Sequence, residues 1–300
     1  MERINLTEDL SFSRIIHGLW RINEWGFSNE DTLQLMEECL ELGITTFDHA
    51  DIYGGYTNEE MFGNGLSLKP SLRQQMEIVT KCGIKLLSDN RPEHKLHHYD
   101  TSKEHIIKSA ETSLGNLKTD YIDVLLIHRP DPYMNPEEVS EAFVQLKEQG
   151  KVRHFGVSNF TPSQFDMLSS YLPFPLITNQ VEISVSFLTP FQDGTIDQCL
   201  QRRIPPMAWS PFAGGNLFTA TDEKTNRIKQ ALETIGEEAG TEALDQLMLA
   251  WLMNHPARIM PILGTGKIDR IKSAVQALDI RLTREQWFKV WIASTGHGVA

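Results

Sequence analysis

Short apolar runs that end on or just before a polar residue recur along the chain, and stretches of helical periodicity lie between them. The first pattern predicts β-strands, and the second, in which apolar side chains return every three or four residues, predicts amphipathic helices. The predicted strands span residues 15–19, 44–48, 77–81, 122–127, 153–157, 176–180, 206–209 and 259–262. Eight strands that alternate with helices predict an α/β fold, a (β/α)8 TIM barrel.

Both ends of the chain add elements to this alternation. Residues 2–5 and 11–15 are short alternating stretches around a polar turn, which predicts a hairpin ahead of the first barrel strand. After the seventh strand, helical patterns over 222–239 and 241–254 predict two helices where one is required, as in barrels that bind a phosphate there. We find no linker or internal repeat, so residues 1–300 are interpreted as a single domain with extra helices near its C-terminus.

Composition and charge narrow the expected partners and location. The formal net charge of −12 disfavours nucleic acids and anionic membranes, which attract basic surfaces. No segment approaches the ~18 apolar residues of a spanning helix, and the first ten residues lack a secretory signal. The cysteines Cys39, Cys82 and Cys199 form neither a zinc spacing nor a disulfide framework. We therefore expect a cytoplasmic protein, a monomer or small homo-oligomer, that acts on a small molecule.

Four polar side chains are predicted to converge at the carboxyl ends of three consecutive strands. Asp48, Lys81 and His128 stand at these ends, and Tyr53 follows Asp48 by five residues. Neighbouring strands lie ~4.8 Å apart and alternate side chains face the axis, so the four groups should be within reach of one another. A structural Asp–Lys pair beside a histidine is the plainer alternative for each residue taken singly. Four groups at one rim favour a catalytic site.

The four groups suit the protonation of an oxyanion. An ammonium beside a phenol should lower the phenol's pKa from ~10, so Lys81, held by Asp48, would prepare Tyr53 as a proton donor. His128 could orient the oxygen of a substrate. This set contains no nucleophile, and it suits carbonyl reduction if a cofactor delivers the hydride.

The remaining strand ends predict a seat for such a cofactor. Ser158, Asn159 and Gln180 could hold a carboxamide, and Trp209 could stack on a planar ring. A Gly-rich loop follows Trp209, and two cations open a helix after the last strand, where anions bind well. No G-x-G-x-x-G fingerprint follows a strand, so a Rossmann fold is not indicated. The predicted cofactor residues are Ser158, Asn159, Gln180, Trp209, Ser210, Pro211, Phe212, Gly214, Gly215, Leu217, Gly264, Thr265, Gly266, Lys267 and Arg270.

At this point the motifs resemble those of the aldo-keto reductases, most closely the bacterial oxidoreductase branch, over essentially the whole chain. The resemblance is carried by FDHADIYG, VTKCG, LLIHRPDP, GKVRHFGVSNF, TNQVEIS, WSPFAGG and GTGKIDR. It implies a barrel that reduces aldehydes or ketones with NADPH/NADP+ and no metal. In that chemistry Tyr53 would be the general acid, Lys81 and Asp48 would tune it, and His128 would orient the substrate.

The resemblance also implies contacts for each part of the cofactor. Ser158, Asn159 and Gln180 would hold the carboxamide, Trp209 would stack on the nicotinamide, and Lys267 and Arg270 would meet the 2′-phosphate. Many members have tyrosine at the position of Trp209 and Glu-Asn at the positions of Ser273 and Ala274, so the pocket shape and the adenine contacts should differ here. The short carboxyl tail predicts an open substrate pocket, with Trp20, Trp25 and Tyr56 as walls or, alternatively, as plain packing.

Two other functional classes are open from the sequence. A metal-dependent barrel hydrolase could use ligands among His17, His49, Asp51, Lys81 and His128, although His49 should point away from the axis if Asp48 points inward. A barrel that binds nicotinamide and reports redox state to a partner is the second alternative. An intact set of four catalytic groups disfavours this sensor but is compatible with slow turnover.

Overall fold

The computed structural model of the protein describes residues 1–299 and contains a closed barrel of eight parallel strands. The strands in chain order are β1 Arg3–Asn5, β2 Ser11–Ser13, β3 Ile16–Gly18, β4 Thr46–Asp48, β5 Glu77–Cys82, β6 Ile84–Lys85, β7 His98–Tyr99, β8 Ile122–Ile127, β9 Val152–Ser158, β10 Asn179–Glu182, β11 Met207–Trp209 and β12 Met260–Leu263. The barrel strands follow one another in sequence order, β3-β4-β5-β8-β9-β10-β11-β12, and β12 pairs with β3 to close it. The predicted (β/α)8 barrel is confirmed.

Helices surround the barrel. They are α1 Asn29–Glu41, α2 Asn58–Ser67, α3 Lys103–Leu117, α4 Pro136–Glu148, α5 Pro162–Tyr171, α6 Thr189–Gln192, α7 Thr195–Arg202, α8 Asn216–Thr219, α9 Glu223–Ala239, α10 Leu244–Met253, α11 Ile268–Gln276 and α12 Arg284–Thr295. The sequence marks several helix starts by side chains that accept a hydrogen bond from the first turn: Ser28, Ser102, Asn135, Thr161 and Asp222. Both extra helices after the seventh barrel strand, α9 and α10, are present.

The amino-terminal hairpin closes one end of the barrel. Strands β1 and β2 pair antiparallel, and their inward residues Ile4 and Phe12 are fully buried. Both side chains pack in the cluster that fills the barrel interior, with Val79 and Leu126 among its members. Apolar side chains therefore fill this end of the barrel, while the open cleft lies at the opposite, carboxyl rim.

The sixth barrel strand lies further along the chain than its apolar run predicts. The prediction ended this strand on Gln180, but β10 begins at Asn179 and continues to Glu182. The buried amides of Asn179 and Gln180 are tolerated inside the strand because each donates a hydrogen bond, to Phe160 O at 2.8 Å and to Asp48 Oδ1 at 2.7 Å. The strand therefore continues beyond its apolar segment, because the polar side chains there have hydrogen-bonding partners in the interior.

Three further features concern predictions made from the sequence. The long loop after β5 begins and ends in the short antiparallel ribbon β6–β7, which lies outside the barrel. All three cysteines are buried and unpaired. Within residues 1–299 no helix combines the length and the apolar character needed to cross a bilayer.

Candidate active site

A buried ion pair lies at the carboxyl rim of the barrel. The Lys81 ammonium donates to both Asp48 oxygens, at 2.9 and 2.8 Å, and to His49 O at 2.6 Å. Its contact with Tyr53 Oη is 3.2 Å long. Lys81 is fully buried and Asp48 is 3 % exposed. Asp48 pairs in register with Val79, two residues before Lys81, so both side chains point to the same face of neighbouring strands.

Tyr53 reaches the ion pair from a tight turn that follows β4. The turn residues Gly54 and Gly55 have φ of 59° and 63°, a backbone region that side chains with a Cβ disfavour. A Cβ at Gly54 would also lie 1.8 Å from Asn58 Oδ1 at the start of α2. The glycine pair therefore lets the chain reverse just after the phenol and leaves the Tyr53 ring edge-on to His128, with ring centres 5.9 Å apart.

Burial decides the protonation states of these groups. It raises the pKa of the Tyr53 phenol above its ordinary value, although Lys81 acts to lower that pKa. The sequence analysis predicted that the pKa of Tyr53 would be lowered. This prediction was wrong because the loss of solvation outweighs the attraction of one ammonium. Burial alone would lower the pKa of Lys81, but Asp48 and Tyr53 raise it above its ordinary value. The resting site therefore holds a neutral phenol beside a lysine ammonium.

His128 is neutral in the folded protein. Burial, followed by the charges of Lys81 and Arg129, lowers the pKa of its imidazole well below the ordinary value. Its Nδ1 atom is buried and has no hydrogen-bond partner among the described residues. A neutral imidazole next to Tyr53 can hydrogen-bond the oxygen of a bound carbonyl compound without adding charge to the site.

An open cleft of about 570 Å³ joins these groups to the ends of β9, β10 and β11. Trp209 donates from Nε1 to Asn159 Oδ1 at 2.9 Å, and Asn159 donates to Ser158 Oγ at 2.8 Å. Gln180 donates to Asp48 Oδ1. The amide and hydroxyl groups predicted for a carboxamide thus line one cleft with Asp48, Tyr53 and His128, and they are already hydrogen-bonded to one another or to Asp48.

The cleft rim also holds backbone in a sparsely populated conformation. Asn159, Ser210 and Ala213 have φ of 61°, 51° and 50°, in the left-handed region that residues with a side chain seldom adopt. Asn159 and Ser210 follow directly after β9 and β11, where the strand must turn away sharply from the barrel. Such residues cluster at functional sites, where the surrounding structure holds them in place.

Two segments fit the phosphates of a dinucleotide. Gly214 and Gly215 line the cleft, and a Cβ built on either would meet no atom within 4 Å, so their backbone faces open space. Lys267 and Arg270 are exposed at the start of α11, next to the turn that leaves β12 at Gly264. The first segment can approach a pyrophosphate, and the second presents two cations at a helix N-terminus.

Several predicted residues lie elsewhere. Leu217 is 2 % exposed and packs in the helical core, because it lies on the inner face of α8. Trp25 packs against Gly266 and the core behind the rim, so it contributes no wall to the cleft. Tyr56 accepts a hydrogen bond from Leu86 N at 2.7 Å and faces a separate cleft under the β6–β7 loop. Trp20, 58 % exposed, does line the site cleft.

Two arginines that the sequence analysis did not single out also line the cleft. Arg21 donates to Gly264 O at 3.1 Å, and Arg129 lies with its guanidinium carbon 5.6 Å from the centre of the Trp209 ring. Arg129 follows His128 directly, so its position in the LLIHRPDP motif was the available signal.

The residues considered as metal ligands are not arranged around a common point. Within residues 1–299 no group of three or more His, Cys, Asp or Glu side chains could hold a metal ion. His49 packs edge-on against Phe62 of α2, with ring centres 4.5 Å apart, so it points away from the barrel axis as predicted. His17 is fully buried and lies beside Phe47.

Comparison with known proteins shows the family and the fold. A sequence model described as "Aldo/keto reductase family" matches residues 14–292. The chain is 58 % identical to the "Uncharacterized oxidoreductase YcsN" of Bacillus subtilis (strain 168), with 100 % of each chain covered. It is 43 % identical to a "6-dehydroglucose reductase" of Agrobacterium fabrum, again over 100 % of each chain. The crystal structure of a thermostable aldo-keto reductase, Tm1743, in complex with the inhibitor epalrestat is similar at a TM-score of 0.80 and 27 % identity, covering 98 % of this chain and 99 % of that one.

Proposed function

The chain belongs to the aldo/keto reductase family of oxidoreductases, and from this premise we propose that it reduces aldehydes or ketones to alcohols with NADPH. The observation that carries the proposal is the contact of 3.2 Å between the Lys81 ammonium and the Tyr53 hydroxyl at the base of an open cleft. A neutral phenol beside a fixed ammonium is a proton donor whose product, the phenolate, is stabilised at once.

Each of the four groups has a distinct part in this proposal. His128 hydrogen-bonds the substrate oxygen and holds the carbonyl carbon toward the cofactor. Tyr53 transfers its proton to that oxygen as negative charge develops on it. Lys81 stabilises the phenolate that remains, and Asp48 keeps Lys81 charged and immobile through its two-oxygen contact.

The cofactor is proposed on the donor set that lines the cleft. When bound, the reduced nicotinamide supplies the hydride. Trp209 offers an indole face for that ring, and Ser158, Asn159 and Gln180 offer hydroxyl and amide groups for its carboxamide. The open backbone at Gly214 and Gly215 can accept the pyrophosphate, and Lys267 and Arg270 favour NADPH over NADH through its additional phosphate.

The direct test combines turnover with binding. Purified protein should oxidise NADPH in the presence of reactive aldehydes, and 6-dehydroglucose belongs in the first substrate screen because of the Agrobacterium relative. Tyr53→Phe should reduce the rate by roughly 10²–10⁴-fold, the usual contribution of a positioned proton donor, and leave NADPH binding intact. Binding is followed by tryptophan fluorescence, and Tyr133→Phe, at a tyrosine that is 95 % exposed, is the matched control. A Tyr53→Phe variant with unchanged turnover would remove Tyr53 from this role.

A further inference from the structure

The cleft wall is cationic although the protein as a whole is acidic. The formal net charge of the chain is −12, yet Asp48 is the one acid that lines the cleft in residues 1–299, and Lys81 already pairs with it. Arg21 and Arg129 line the same cleft, and His128 is neutral. The charge left facing the substrate and cofactor is therefore positive.

The two arginines lie at different parts of this wall. Arg21 donates to Gly264 O at the end of β12, next to the helix start that carries Lys267. Arg129 follows His128 directly and lies against the Trp209 ring, so it is at the end of the cleft where the carbonyl group reacts. Arg21 therefore suits the phosphates of the cofactor, and Arg129 suits the substrate.

Arg129 has unused hydrogen-bonding capacity. Its side chain is half-buried, and among residues 1–299 it forms no ion pair within 4 Å and no hydrogen bond to another residue. The carboxyl of Glu182, at the end of β10, interacts electrostatically with Arg129: burial raises the pKa of this carboxyl, and the charge of Arg129 acts to lower it. A guanidinium carries five donors in a planar fork that matches a carboxylate or phosphate, and contact with the Trp209 ring uses none of them.

We propose that the physiological substrate carries an oxyanionic group, a carboxylate or a phosphate, and that Arg129 binds this group beside the catalytic set. The proposal rests on the proposed reductase function and adds the substrate class to it. The oxyanion docks on the guanidinium, and the aldehyde or ketone carbon of the same molecule then reaches Tyr53 and His128. Arg129 is thus a specificity-determining residue.

Matched substrate pairs test the proposal. One pair is 4-oxobutanoate and pentanal, in which an ethyl group replaces the carboxylate, and the other is glyceraldehyde 3-phosphate and glyceraldehyde, which differ by a phosphate. The wild-type protein should prefer the charged member of at least one pair in kcat/KM, and the pair with the larger preference identifies the oxyanion. Arg129→Met should lower that preference by roughly 10–100-fold, the factor that one charge-assisted contact contributes. The loss should fall on KM, since the contact is the same before and during the reaction.

Controls separate this inference from the proposed function. Arg284→Met makes the same change in net charge at an exposed position on α12 and should leave the preference unchanged. No NADPH oxidation with the four aldehydes or with 6-dehydroglucose would defeat the reductase function itself. Reduction of the neutral aldehydes with no preference for either charged partner would overturn the Arg129 assignment alone. Equal losses for charged and neutral substrates, or a parallel loss of NADPH affinity, would also overturn it.

Discussion

Replacing Asp48 by asparagine should test the buried ion pair directly. The substitution keeps the size of the side chain and the acceptor for Gln180, but it removes the charge that opposes Lys81. Lys81 is fully buried, so the variant leaves an ammonium inside the protein with neutral acceptors such as His49 O and Tyr53 but no opposite charge beside it. The expected result is a large loss of stability together with a loss of activity.

The size of this loss follows from the burial of both partners. Removing one member of a buried pair usually costs about 3–5 kcal/mol, because the remaining charge is uncompensated. The loss in unfolding free energy can also be estimated from pKa shifts. Burial can lower a lysine pKa by about 3–5 units, and each unit corresponds to about 1.4 kcal/mol. We expect the lower part of this range, since the contact with His49 O persists.

The loss of stability in Asp48→Asn should decrease as pH rises. In the wild type the pKa of Lys81 is raised in the folded state, so its stabilisation is present below the unfolded lysine pKa of about 10.4 and is lost as pH rises through the folded pKa. In Asp48→Asn the folded pKa should lie below about 10.4, so the unfolded state binds more protons and stability rises with pH up to that value. The free-energy difference between the two proteins should therefore shrink between about pH 7 and pH 10.

Urea unfolding at a series of pH values, followed by circular dichroism, measures this difference. The double variant Asp48→Asn/Lys81→Met removes the stranded charge and should recover stability relative to Asp48→Asn alone. A difference below about 1 kcal/mol at neutral pH, or one that does not change with pH, would refute the assignment of a buried and mutually dependent pair.

Two further predictions concern cofactor binding. Trp209→Phe keeps an aromatic face but loses the hydrogen bond from Nε1 to Asn159. NADPH should therefore bind roughly 2–10-fold more weakly by calorimetry, and the fluorescence quench should be smaller. Unchanged affinity and quench would place the nicotinamide elsewhere. Arg270→Ala should weaken NADPH binding by roughly 10–100-fold and NADH binding much less, and equal losses would contradict the 2′-phosphate assignment.

Hydrogen bonds within the cleft also bear on how the site would recognise the proposed cofactor. Trp209, Asn159 and Ser158 are linked to one another, while Gln180 is linked to Asp48. A carboxamide that binds here must therefore share or replace existing hydrogen bonds. Because these bonds already fix the side chains, little ordering remains to be done when the cofactor binds.

The sequence by itself determined the order of the elements and the rim at which the candidate catalytic groups meet. Alternation along strands and the parallel arrangement of βαβ units are local rules, and they bring every strand's carboxyl end to one rim. Asp48, Lys81 and His128 each stand at such an end, so their convergence could be predicted without any tertiary contact. Tyr53 could be added because only five residues separate it from Asp48.

Only the tertiary structure decided how buried each group is and which partner it has. The pKa of Tyr53 moves upward because packing removes solvent from the phenol, and no local pattern measures that. Gln180 and Asp48 are 132 residues apart in the chain but 2.7 Å apart in space. Trp25 and Tyr56 look like pocket walls in the sequence, yet their backbone turns direct them to other neighbours.

The same limit applies to Arg129. The sequence places it after His128, but whether a cation is paired depends on acids contributed by distant strands and helices. The folded chain brings no carboxylate within 4 Å of Arg129 among the described residues, and it leaves the guanidinium on the wall of the cleft. Periodicity thus determined at which rim the polar side chains converge, while three-dimensional packing decided the charge and the free donors on the cleft wall.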